Sequence, residues 1–92
     1  MKEQKKYKID EEMNKLNLLE YKAAIKIIPR ELGVAFNTFH NYRKLTIFDS
    51  KDIPYDSVRK LEKIFDLPEG ELANYKTQCK SLKALMKDAE KL

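Results

Sequence analysis

Apolar residues recur along this 92-residue chain at steps of three and four for most of its length. That period lines one face of an α-helix, and the period-two alternation of a half-buried strand nowhere persists. Ile9, Met13, Leu16 and Leu19, with the acidic Asp10, Glu11 and Glu12, predict a first helix over 10–19, the acids suiting the positive end of its dipole. Tyr21, Ala24, Ile25, Ile28 and Leu32 predict a second helix within 20–32. Pro29 leaves two options there. Either a short helix starts near it, or a longer one runs through it with a kink, because an interior proline removes a hydrogen bond and clashes with the preceding turn, at about 3 kcal/mol.

Gly33 stops this helix, being free to take positive φ. Phe36, Phe39 and Tyr42 restart the period and predict a third helix over 35–44. Residues 45–53, LTIFDSKDI, read as a loop with a little extended structure around Thr46–Phe48. Pro54 and Asp56 open a fourth helix, with Val58, Leu61, Ile64 and Phe65 on its apolar face. After the punctuation of Leu67, Pro68, Glu69 and Gly70, the residues Leu72, Tyr75, Cys79, Leu82, Met86 and Ala89 step by three and four alternately. This heptad seam predicts an extended C-terminal helix, at about two and a half repeats short of a self-sufficient coiled coil.

The expectation is therefore an all-α fold, a compact bundle of about five helices with an extended C-terminal helix. It divides into a basic arm at 1–8, a helical domain at 9–74, and an amphipathic element at 75–92. Length suits one domain with a small core, and 42% apolar with 37% charged residues suits a globular chain with a large solvated surface. The lone Cys79 forms no internal disulfide, no apolar run approaches a membrane span, and the N-terminus lacks a signal peptide, which points to a reducing cytoplasm.

The net charge of +4 is mild, but its distribution is uneven. MKEQKKYK carries four lysines against one glutamate, and residues 22–44 carry Lys22, Lys26, Arg30, Arg43 and Lys44 against Glu31 alone. Acidic residues concentrate at 10–20 and 49–71. A basic DNA-facing side backed by an acidic remainder is segregated in this way.

Catalysis finds little support. His40 is the only histidine, with no cysteine or second histidine near it in sequence, so neither a metal centre nor a catalytic triad has its parts. The two glycines lie far apart and make no phosphate loop. No cofactor, metal or small-molecule ligand is implied. Cys79, on the apolar seam, reads as a small buried hydrophobe.

In IPRELGVAFNTFHNYRKL, Ile28 and Leu32 precede Gly33, and Val34, Phe39 and Tyr42 follow it. Two short helices crossing at a tight turn need apolar contact at those places, with a glycine at the bend where a side chain would clash. The segment resembles the helix-turn-helix of the Cro and phage-repressor-like, or Xre-type, family, and IPYDSVRKLEKIFDLPEGEL resembles that family's following proline, helix and closing turn. The likeness covers about residues 18–73. This sequence has Pro29 where the family usually has a small residue, Ala35 where it often has a capping serine, and a longer loop at 45–53.

The resemblance implies that helix 35–44 enters the major groove of double-stranded DNA, with Phe36, Asn37, His40 and Asn41 toward the bases. An asparagine can pair bidentately with adenine, and His40 can donate to guanine or to a phosphate. Lys26, Arg30, Thr38, Arg43 and Lys44 are then placed to reach phosphates, and lysines 2, 5, 6 and 8 to follow the backbone as an arm. The function implied is non-enzymatic, sequence-specific DNA binding by a transcriptional regulator or a phage or mobile-element accessory factor. A helical protein-interaction module and a MerR-like or excisionase-like architectural factor are the alternatives. The seam at 72–89, flanked by Lys76, Lys80, Lys83, Lys87 and Lys91, suggests a homodimer through the last helix rather than a membrane contact.

Overall fold

The computed structural model describes residues 4–90 and contains five helices with no strand among them. The expectation of an all-α fold holds. Lys2 and Lys91, assigned above to the arm and to the lysine stripe, lie outside the described residues.

α1 (Ile9–Asn14) carries its three acids in the first turn and buries Ile9 and Met13. It ends five residues sooner than its apolar spacing predicts, because Asn17 starts a new helix. The Asn17 side chain accepts the Glu20 amide at 2.8 Å and the Glu20 carboxylate accepts the Asn17 amide at 3.0 Å. This capping box satisfies two amides that a continuous helix would have paired elsewhere, so the break is stable. Leu19, 80% exposed, belongs to this second helix and not to the buried face of the first.

α2 (Leu18–Leu32) runs without interruption through Pro29, which is buried in its last turn. Pro29 lacks only an amide, and its carbonyl is used by the Val34 amide at 3.0 Å. Gly33 caps the helix with φ +69° and donates to the Arg30 carbonyl at 3.1 Å. These two bonds form a Schellman motif. A Cβ added at Gly33 would meet nothing within 4 Å. The glycine is therefore required by its left-handed backbone and not, as the spacing suggests, by close packing.

α3 (Phe36–Lys44) buries Phe39 completely, and α4 (Tyr55–Ile64) buries Leu61. α2 is the hub, touching α1, α3 and α4. α4 closes as α2 does, with Asp66 in place of glycine at φ +57° and the Leu67 amide reaching back to the Glu62 carbonyl at 2.8 Å.

Residues 4–8 are not a free arm. They run extended between two other segments, with antiparallel bridges from Lys5 to Thr46 and from Tyr7 to Ala73. The Lys6 amide donates to Leu45, and the Lys8 amide to Leu72, each at 2.8 Å. Tyr7 enters the core, and the buried Lys6 ammonium donates to the carbonyls of Asp49 and Lys51 at 2.9 and 2.8 Å, closing the 45–53 loop. Lysines 5 and 6 are thus structural parts of the domain.

The expected C-terminal helix is also redrawn. Leu72 is in the core, Tyr75 lies edge-on to Tyr7 at 6.3 Å, residues 76–81 have no regular structure, and Cys79 is exposed rather than buried. Only α5 (Leu82–Glu90) is helical, and it buries none of its residues. The seam therefore splits between two environments. The projecting tail lengthens the molecule to 58 Å and raises its radius of gyration to 16.7 Å, against about 12 Å for a compact chain of this size.

Candidate nucleic-acid interface

The geometry begins at the Schellman turn, which redirects the chain within three residues from α2 into α3. Ala35 starts α3 with extended backbone and no side-chain hydrogen bond, so the amides of the first turn are left to solvent or to an anion. No acidic residue lies on α3.

At 3.6 residues per turn, Phe36, Asn37, His40, Asn41 and Lys44 share one side of α3, opposite Phe39 and Tyr42. Phe39 is fully buried and Tyr42 half-buried, while Asn37, Asn41 and Lys44 are exposed. Phe36 is 47% exposed and stacks at a tilt on the half-buried His40 ring, 4.7 Å between centroids. Four side chains assigned to base contact thus form one continuous surface. Thr38 is half-buried at its edge.

Lys22, Lys26 and Arg30, four residues apart and all exposed, form a stripe along α2. Lys22 was not among the phosphate candidates drawn from the resemblance, although its spacing from Lys26 is a readable signal. Arg43 departs from its assigned place. Its Nε donates to Asp10 at 2.6 Å, its Nη2 donates to the Tyr21 hydroxyl at 2.8 Å, and its guanidinium lies 5.6 Å from the Tyr21 ring centre. Burial opposes its charge, but the bonds to Asp10 and Tyr21 outweigh it and hold the pKa above the ordinary arginine value. Arg43 is a clamp joining α1, α2 and α3, turned away from any phosphate.

Two hollows lie elsewhere among the described residues. One, of about 670 Å³, lies between the start of α4 and residues 69–77. The carboxylate of Asp52 accepts there from the Tyr7 and Tyr75 hydroxyls. The other, of about 290 Å³, is an apolar groove between α2 and α4 lined by Leu16, Ala23, Ala24, Ile27, Ile28, Ile64 and Phe65, with Glu20 its polar member. Among the described residues no three His, Cys, Asp or Glu side chains are grouped to hold a metal ion, and no helix is long and apolar enough to cross a membrane.

No protein-family model, curated protein or solved structure matches the chain.

Proposed function

We propose that this chain is a non-enzymatic protein that binds double-stranded DNA sequence-specifically, with α3 in the major groove. The observation that carries the reading is the outer face of α3, where Phe36, Asn37, His40, Asn41 and Lys44 stand together with no acidic residue on the helix. Asn37 and Asn41 supply the paired donor and acceptor that adenine presents, and Phe36 supplies an apolar contact for a thymine methyl. Lys22, Lys26, Arg30 and Lys44 hold phosphates and set register without reading sequence. The role that accompanies such binding is transcriptional regulation or service as an accessory factor to a phage or mobile element, in a reducing cytoplasm.

The test is titration of labelled random duplex with the full chain across a series of salt concentrations. Four phosphate contacts give a slope of log K against log salt of about −3.6. Asn37→Ala combined with Asn41→Ala removes preference among duplexes selected from a random pool and leaves that slope intact. Absence of a salt-dependent complex refutes the proposal in favour of an interaction module, and preference retained in the double variant refutes the assignment of α3.

A further inference from the structure

Two apolar features of this chain have no occupant. α5 presents Leu82, Leu85 and Met86 to solvent along one stripe, Leu82 at 72% exposure. Its nine residues are fewer than the roughly 12–15 that hold an isolated helix together in water. A helix this short needs a surface to lie on. The groove between α2 and α4 is the matching surface, open and apolar, with Ile27 half exposed in its lining. Contiguous exposed apolar area of this kind marks an interface.

We propose that α5 of one copy seats in the α2–α4 groove of a second copy, and that the exchange is reciprocal. This inference stands apart from the DNA-binding reading. Every copy brings one helix and one groove, so a twofold exchange leaves neither feature over and closes on itself. The chain's own α5 lies clear of its groove, burying nothing. Two α5 helices alone cannot form the joint, since the seam that remains helical is little more than one heptad. One docked α5, about 13 Å long, covers less than the ~800 Å² per partner of a standard interface, whereas reciprocal docking doubles the area within one complex.

Lys83 borders the Met86 edge of the α5 stripe, with Asp88 and Glu90 also at its margins, while Glu20 lines the groove, so one opposite-charge contact is available to the pairing. Leu72 is fixed in the core and Leu82 begins α5, a ten-residue step that can span about 33 Å when extended.

Sedimentation of the full chain at tens of micromolar, alone and in mixtures, tests the exchange. The wild-type chain sediments as a dimer, while Ile27→Asp, which spoils the groove, and Met86→Asp, which spoils the helix, each sediment as monomers. A one-to-one mixture of the two variants regains a dimer, because one intact helix meets one intact groove, and this mixed dimer is at least tenfold weaker than wild type. Recovery in the mixture also shows that both variants are folded, and Ile64→Glu serves as a second groove variant with the same expected pattern. A monomeric wild-type chain overturns the proposal, as does a dimeric Ile27→Asp or a mixture that stays monomeric.

Discussion

Glu62 is the side chain on which the end of the domain turns. It is 2% exposed, and its carboxylate accepts the Gly70 amide at 2.8 Å and the Leu72 amide at 3.1 Å while pairing with Arg59. Those bonds hold the chain in the turn that delivers Leu72 to the core. Glu62→Ala leaves the buried Leu72 amide without an acceptor, at about 1–3 kcal/mol, and removes a buried methylene, at about 0.8 kcal/mol. The Gly70 amide and Arg59 are open enough to find water, so their share is small. The loss is about 2–4 kcal/mol of the 5–15 typical of a domain, or a fall in Tm of roughly 10–30 °C. Glu62→Gln keeps an oxygen for both amides and loses only the charge and the Arg59 bond, and so costs about 1 kcal/mol. Urea unfolding followed by circular dichroism measures both variants, and hydrogen exchange at the Leu72 amide locates the damage. If Glu62→Ala unfolds within 0.5 kcal/mol of wild type, or Glu62→Gln matches it in cost, the two backbone bonds are not what holds the turn.

Gly33→Ala forces a side chain into φ +69° with nothing nearby to touch, so it costs about 1 kcal/mol in unfolding free energy. Asp66→Gly relieves the same strain at the end of α4 and stabilises by up to about 1 kcal/mol. Arg43→Met lowers Tm but leaves the salt slope of DNA binding unchanged, whereas Lys44→Gln, on the exposed face, leaves Tm and reduces the slope by about 0.9. Tyr7 has its pKa raised by burial and by its bond to Asp52, so the folded chain holds a proton that the unfolded chain releases above about pH 10. Its contribution is complete below that pH and is lost as pH rises, so urea midpoints decline on the alkaline side in wild type, and Tyr7→Phe removes that part of the decline.

The spacing of three and four was enough to place α2, α3 and α4, because each buries apolar residues that lie on the predicted stripe: Ile28 with Leu32, Phe39, and Leu61. It failed where the same spacing served two surroundings. Leu72 and Tyr75 continue the rhythm of Leu82 and Met86, yet Leu72 is held in the core by the Glu62 bond and the strand-like Tyr7 segment, and the latter two face solvent. Periodicity reports which residues share a face, not whether the helix exists between them. The break before α2 was legible, since Asn17 and Glu20 have capping-box spacing. The burial of Lys6 was not, because its acceptors are backbone carbonyls more than forty residues away. For the candidate interface, the outward set of α3 follows from helical geometry once Phe39 is known to be inside. The loss of Arg43 needed Asp10 and Tyr21 to meet it across three helices.

The perimeter of α2 shows how the two proposed surfaces remain separate. Its inner side holds Ile28 and Leu32, Lys22, Lys26 and Arg30 run along its outer side, and Ala23 and Ile27 follow next to them on the side of the groove. Ile27 lies about 60° or more around the helix from each of the three cations, so the basic stripe and the apolar groove do not share a side chain. A twofold pair formed through the groove need bury none of these cations, and no residue of α3 lines it. On the DNA-binding reading proposed above, such a pair reads two half-sites, and discrimination is multiplied rather than added between them. Breaking the groove with Ile27→Asp then weakens binding to paired half-sites far more than to a single one, while the single-site salt slope stays the same.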